Sequence, residues 1–355
     1  MTQVSYSATN FDTFIGIDVD KKSYVFTVGD HNIMSRAKKI PANPEQLYNF
    51  IQNNLKGKKV ICAYEAGPTG FHLHDYLTQK QVTCLVIPPT SIPKAPNEKV
   101  KTNNIDATKV TEELRASKAK SIRVPQGAYR ELRYLIKTRE NYARNRKTAK
   151  QRIKGLLLYT NLYPFLKDPD IRWSSRYIKE LKQLQCSSPL RKSLDMLLMD
   201  FEYARKQTLF ILRELKAFCD NSIEIKKNIE YLQSIPGIGF ITAATFLGRI
   251  GDPQYLKNER ELGAFIGVVP RENSTGDKIN RGSITHLGNQ TLRFLLIESA
   301  WVAIRKDKEL EQYYHRILKR NNPKAASKIA ITAVAHKLTH RIYRVLKDQR
   351  KYQIH

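Results

Sequence analysis

Three acidic residues stand in contexts that a folded sheet could bring to one point. Asp18 lies near the end of the apolar run Phe14-Ile15-Gly16-Ile17-Asp18-Val19. Glu65 ends a second such run, Val60-Ile61-Cys62-Ala63-Tyr64-Glu65. Asp106 lies in Lys101-Thr102-Asn103-Asn104-Ile105-Asp106-Ala107, at the start of a helix-like segment. Carboxylates at strand ends and on an adjacent helix face collect divalent cations for phosphoryl chemistry. Two such cations about 3.5–4 Å apart repel unless carboxylates lie between them, so a two-metal site needs several oxygen ligands close together. Asn103, three residues before Asp106 and so on the same helix face, offers a fourth oxygen. Any one of these acids alone could simply cap a helix or pair with a lysine; the three contexts together point to a divalent-metal site.

Two further patterns could handle phosphates. In Leu232-Gln233-Ser234-Ile235-Pro236-Gly237-Ile238-Gly239-Phe240-Ile241-Thr242-Ala243, apolar residues flank a tight turn between Gly237 and Gly239 that opens a helix. This is the helix–hairpin–helix pattern. Its glycines let the backbone approach phosphates, and the helix N-terminus offers free N–H groups, so it holds nucleic acid without reading sequence. An ordinary helix corner is the plainer alternative. Further on, Ser274-Thr275-Gly276 lies between Arg271 and Lys278, with Arg281-Gly282-Ser283 and Gly288-Asn289 following. Such a loop could present a hydroxyl nucleophile to a phosphodiester, although Ser-Thr-Gly is by itself a common turn.

The elements that would position these residues follow from periodicity. Strands are expected over residues 14–19 and 24–28, joined by a short hairpin-type turn, and over 59–64 and 82–87. Helices are expected over 44–55, 71–79 and about 105–116, with 121–125 closing the domain. Residues 93–102 are lysine-rich and aperiodic and read as a loop. Strands alternating with helices, after a first hairpin, predict a mixed α/β sheet of the ribonuclease-H-like kind. From Tyr129 onward an apolar stripe (Leu132, Leu135, Ile136, Ile153, Leu156, Leu157) runs beside Arg130, Arg133, Lys137, Arg139, Arg144, Arg146, Lys147, Lys150, Arg152 and Lys154. Charge of one sign on that scale suits a polyanion better than a merely solvated face. Helical periodicity also covers 194–232, as in a helical hairpin or coiled coil that could dimerise the protein, then 240–250, 290–304 and 325–346.

Composition bounds the partners. The 355 residues carry 61 Lys plus Arg against 33 Asp plus Glu, a formal net charge of +28. That excess favours a phosphate backbone as partner. Cys62, Cys84, Cys186 and Cys219 form no C-x-x-C pair, which argues against zinc and for a reduced, intracellular chain. The first ten residues are polar, and no apolar run approaches the roughly 20 residues of a membrane span, so a cytoplasmic protein without membrane contact is expected.

The order Gly16-Ile17-Asp18, Tyr64-Glu65-Ala66, Lys101-Thr102-Asn103 with Asp106-Ala107, Ile235-Pro236-Gly237-Ile238-Gly239, Pro270 with Ser274-Thr275-Gly276, and Ile284-Thr285 with Gly288-Asn289 and Leu292-Arg293 resembles the IS110-type transposases. These are also called DEDD transposases or bridge-RNA-guided recombinases. The resemblance spans nearly the whole chain and rests on motif order rather than any single motif. It implies a RuvC-like catalytic domain over 11–125, a basic helical or coiled-coil region over 126–232, and a mainly α C-terminal domain over 233–355 carrying the helix–hairpin–helix and the Ser/Thr loop. The implied activity is DNA strand cleavage and exchange through a covalent phosphoserine intermediate. Mg²⁺ (or Mn²⁺) would be held by Asp18, Glu65, Asn103 and Asp106. Donor and target DNA would be chosen by a structured non-coding guide RNA, and the enzyme would be a homo-oligomer, a dimer or tetramer, pairing the acids of one subunit with the hydroxyl of another. Two positions depart from the pattern. Asn103 stands where the family carries an acid, and Thr275 stands where its serine precedes the glycine, with Ser274 one place earlier. Those departures keep open a weakened or inactive nucleic-acid-binding relative, and the acids alone would also suit a junction-resolving nuclease.

Overall fold

In the computed structural model, residues 3–4, 6–92, 102–163, 173–272, 281–285, 287–320 and 322–353 are described. Two compact units divide the chain, Met1–Pro125 and Gln126–His355.

The first unit is built on a seven-stranded mixed sheet. Its elements are β1 (Gln3–Val4), β2 (Thr13–Val19), β3 (Ser23–Gly29), β4 (Lys38–Pro41), α1 (Pro44–Asn54), β5 (Val60–Glu65), α2 (His72–Gln79), β6 (Thr83–Ile87), α3 (Asn103–Arg115) and β7 (Ser121–Ile122). The strand order is β1-β7-β6-β5-β2-β3-β4. β2, β3 and β4 form an antiparallel meander, β5 joins β2 in parallel and β6 joins β5 in parallel. This order is consistent with a ribonuclease-H-like nuclease fold. β2 and β5 are continuous apolar runs because both of their faces are covered. Ile15, Ile17, Phe26 and Tyr64 face Leu47 and Ile51 of α1 and Leu73 and Leu77 of α2. Phe14, Ile61, Ala63, Leu85 and Ile87 face Val110 and Leu114 of α3. Each of the large side chains contributes about 1.5–3 kcal/mol by leaving water. α1 begins as its sequence requires, with Pro44 in the first turn and Asn43 Oδ1 accepting from Glu45 N at 2.8 Å.

The second unit is almost wholly helical: α4 (Gly127–Tyr159), α5 (Ser175–Gln183), α6 (Ser188–Asn221), α7 (Ile223–Gln233), α8 (Phe240–Ile250), α9 (Glu259–Ile266), a hairpin of β8 (Pro270–Glu272) and β9 (Arg281–Ile284), then α10 (Gln290–Ala303), α11 (Lys308–Arg320) and α12 (Pro323–Lys347). α4 and α6 form a long antiparallel hairpin with a core at each end. Tyr129, Leu132 and Ile136 pack with Leu215 and Cys219 in the larger core, which also takes Ala330, Val334, Leu338 and Ile342 of α12. Ala149, Ile153 and Leu157 pack with Leu194, Leu198, Phe201 and the α5 residues Tyr177, Ile178 and Leu181 in the smaller one. The helical run expected over 194–232 is broken at Ser222. Its backbone is extended there, and its hydroxyl accepts from Ile225 N at 3.4 Å to start α7. Among the described residues no helix is long and apolar enough to cross a membrane.

Candidate active site

Sheet register decides where the acids go. Ile17 of β2 lies opposite Tyr64 of the parallel strand β5, so Asp18 and Glu65 are the next residues along two neighbouring strands. Side chains alternate along a strand, and Gly16 and Ala63 both face α3; two residues on, Asp18 and Glu65 share that face. α3 runs against β2. Its later turns, at Val110 and Leu114, pack with Phe14, and Ala107 lies over Gly16. The N-terminal turn bearing Asn103 and Asp106 therefore lies toward the Asp18 end of the sheet. Asp18, Glu65 and Asp106 are half-buried, and Asn103 is exposed.

The contact that seats α3 is unusually close. A Cβ built on Gly16 would lie 2.3 Å from the Ala107 carbonyl oxygen and 2.4 Å from Thr111 N. Gly16 N donates to Thr111 Oγ1 at 2.9 Å, and that hydroxyl lies 2.9 Å from the Ala107 carbonyl and 3.2 Å from the Thr27 carbonyl. Thr27 and Thr111 are fully buried, and Thr27 Oγ1 lies 3.2 Å from Thr108 Oγ1. The sequence carries no local signal for this arrangement, because Gly16 and Thr111 are 95 residues apart.

The donor set, three carboxylates and an amide carbonyl, has the oxygen chemistry of a hard divalent cation. The side chains do not close on one another: among the described residues no three of His, Cys, Asp and Glu come close enough to hold a metal ion. Asp18 and Asp106 are engaged with other groups. Mutual repulsion opposes closer approach of such acids unless a cation lies between them.

The other expected site residues that are described belong to the second unit. α4 carries ten cations against two acids. Lys137, Arg144, Lys147 and Arg152 are exposed along it, whereas Arg130 and Arg133 are half-buried. Lys150 lies over the rings of Trp173 and Phe201, at 5.3 and 5.7 Å from the centroids. Burial, then Arg146, Lys154 and Arg205 nearby, holds its ammonium below the ordinary lysine range. A helix face whose cations repel each other is suited to an anionic partner. At the turn before α8 the two glycines differ. Gly237, at φ +88°, packs on α10, where a Cβ would lie 2.3 Å from the Ser299 carbonyl oxygen. Gly239 is exposed, caps α8 and has open space at its Cβ position.

Ser274, Thr275 and Lys278 lie outside the described residues. The hairpin that bounds them is firmly rooted. Gly267 ends α9 in the left-handed conformation, and a Cβ there would fall 1.8 Å from the Leu287 carbonyl oxygen. Buried Arg293 donates through Nη1 to the carbonyls of Ile266 (3.1 Å) and Leu287 (3.2 Å). Arg271 on β8 is exposed, with Nη2 3.4 Å from the Thr285 carbonyl, and Arg281 begins β9.

Comparison with known proteins matches residues 15–162 to the IS110-type DEDD transposase model and residues 229–315 to the transposase IS116/IS110/IS902 family. The transposase for insertion sequence element IS1111A of Coxiella burnetii is 27% identical over 263 residues, covering 72% of this chain and 70% of the relative. The transposase for insertion sequence element IS1533 of Leptospira borgpetersenii is 25% identical over 301 residues, covering 81% and 84%. The y4qE protein of Sinorhizobium fredii, whose transposase name is provisional, is 27% identical over 302 residues, covering 82% and 71%.

Proposed function

Because the chain belongs to the IS110 family of DEDD-type transposases, enzymes that cleave DNA and transfer its strands, we propose that it exchanges DNA strands through a covalent protein–DNA ester. Asp18, Glu65 and Asp106, with the amide oxygen of Asn103, would hold Mg²⁺ or Mn²⁺. When bound, the metal supplies charge stabilisation at the phosphodiester under attack. The observation that supports this most is the shared end of β2 and β5, met on one face by the first turn of α3.

The hydroxyl of Ser274 or Thr275 attacks phosphorus. A protein O–P bond forms, the strand's own P–O bond breaks, and the departing oxygen takes up a proton. The hydroxyl end of a second strand then attacks the protein–DNA ester and restores the side chain. One ester replaces another at each step, so no external energy source is needed. The exposed cations of α4 (Lys137, Arg144, Lys147, Arg152) and the Gly239 end of α8 hold nucleic-acid backbones. The proposal divides the labour among a catalytic region over 11–125, a basic helical region over 126–232 and a helix–hairpin–helix and nucleophile region over 233–355. A structured non-coding RNA selects donor and target DNA, and a dimer or tetramer brings the acids of one subunit to the hydroxyl of another.

The test is strand cleavage and rejoining by the purified protein with its flanking non-coding RNA and element-end DNA in Mg²⁺. Asp18→Ala and Glu65→Ala should abolish cleavage while leaving nucleic-acid binding largely intact. Cleavage that persists in both variants would remove the acids from the mechanism.

A further inference from the structure

The seam between α4 and α6 carries cations that helix packing does not call for. Arg146, Lys150 and Lys154 follow one another at four-residue steps and so form one row along α4. Lys150 Nζ lies 5.7 Å from the Phe201 ring centroid, and Arg205 stands four residues beyond Phe201 on the same side of α6. The row and Arg205 therefore meet across the seam. All four cations are half-buried, so each keeps part of its surface in water.

Counter-charge is scarce there. After burial, the groups that act on Lys150 are Arg146, Lys154 and Arg205, all of its own sign. Glu202, three residues before Arg205, is already paired with Lys182 at 2.7 Å. The sequence between Tyr163 and Trp173 sets Asp168 and Asp170 against Lys167 and Arg172 and so adds no net charge. The rings of Trp173 and Phe201 hold the Lys150 ammonium without neutralising it. Like charges at four-residue steps destabilise a helix, and a polyanion is the partner that turns this arrangement into attraction. From Arg146 to Lys154 the helix rises about 12 Å. One strand of a duplex presents a charge about every 3.4 Å of axis, so the row spans about three to four phosphates.

We propose that Arg146, Lys150, Lys154 and Arg205 form a track along the α4–α6 seam for a run of phosphates of one nucleic-acid strand. The inference rests on the reading that this chain binds nucleic acid. It adds to the exposed cations of α4 a second contact, shared by two helices.

The test is salt-dependent binding by the full chain of two labelled probes, a DNA duplex and a single-stranded RNA, with thermal unfolding of the free protein at low salt. Lys154→Gln combined with Arg205→Gln should weaken binding about tenfold or more. The log–log salt slope should fall by about 1.8 if the duplex uses the track and by about 1.4 if the single strand does; the probe that responds identifies the strand. Arg205→Lys, which keeps the charge, should keep the slope, and so should Lys39→Gln on the exposed edge of β4. Without nucleic acid the double variant should melt at the parent's Tm or above, because repulsion is relieved. A fall in Tm with binding intact would mean that these side chains only pack, and would overturn the track. Should the double variant fail to fold, Arg205→Glu decides: it should raise Tm at low salt and weaken binding. Unchanged slopes on both probes, in a parent that binds them, also overturn the track. A parent that binds neither probe overturns the nucleic-acid reading on which the track stands.

Discussion

Replacing Gly16 with alanine should separate activity from folding more sharply than any change to the acids themselves. The added methyl would stand 2.3 Å from the Ala107 carbonyl oxygen and 2.4 Å from Thr111 N, both backbone atoms that cannot rotate away. Contact distance is about 3.5 Å, so α3 must back away from β2 by about 1 Å. That stretches the Gly16 N to Thr111 Oγ1 hydrogen bond, now 2.9 Å and fully buried. Overpacking of this kind costs about 1–3 kcal/mol, which the first unit's sheet core should survive. Asp106 rides on the displaced helix, and a 1 Å error in a catalytic group costs about 100-fold in rate. The assay is single-turnover strand cleavage well below the unfolding midpoint, with oligonucleotide binding measured on the same sample. We expect a cleavage rate down by about two orders of magnitude, a modest fall in Tm and unchanged binding. A Gly16→Ala protein that cleaves at the parent rate would mean that the α3 turn bearing Asp106 does not belong to the active site.

Other outcomes follow from the same geometry. Thr111→Val should leave the Gly16 amide without an acceptor and destabilise the first unit by about 1–3 kcal/mol, read by denaturant unfolding. Asn103→Asp should keep or raise activity and lower the Mg²⁺ concentration needed for half-maximal cleavage; a large loss would show that the fourth ligand lies elsewhere. Ser274→Ala and Thr275→Ala, assayed for a covalent DNA adduct, should differ, with the adduct lost in only one. We expect that one to be Ser274→Ala, since a β-branched hydroxyl is stiffer. Burial pushes the Asp307 carboxyl up, but the hydrogen bonds from Arg341 Nη1 (2.6 Å) and the Leu310 amide, together with the guanidinium's charge, outweigh it and the net pKa is lowered. The stability it contributes is therefore present above the ordinary aspartate range and lost as pH falls through and below it. Asp307→Asn should flatten that acid limb of a Tm–pH curve.

The parts of this fold that could be read in advance were those whose cause is local. β2, β5 and β6 are apolar runs because both sheet faces are covered, and Asp18 and Glu65 stand out as charges at their ends. β4 left no such trace. Lys38 and Lys39 make it a polar edge strand, the usual protection against unwanted strand pairing. The break at Ser222 involves neither glycine nor proline, only a hydroxyl cap, so periodicity ran straight through it. What could not be read was long-range. Gly16 looks like any strand glycine until α3 is laid across it. Gly237 looks like any turn glycine until α10 is found against it. Arg133 looks like one more cation of an open face until α8 is seen to cross there.

The two-cored hairpin of α4 and α6 has a mechanical consequence. Each helix is about 50 Å long, and α4 is clamped by buried side chains at Tyr129, Leu132 and Ile136 and again from Ala149 onward. Between them, over residues 137–148, no α4 side chain is fully buried. As a beam the hairpin is stiff at its ends and slender at its waist, so bending concentrates in that stretch and the aromatic tip around Trp173 can tilt with neither core disturbed. Amide exchange should be fastest along α4 at the waist.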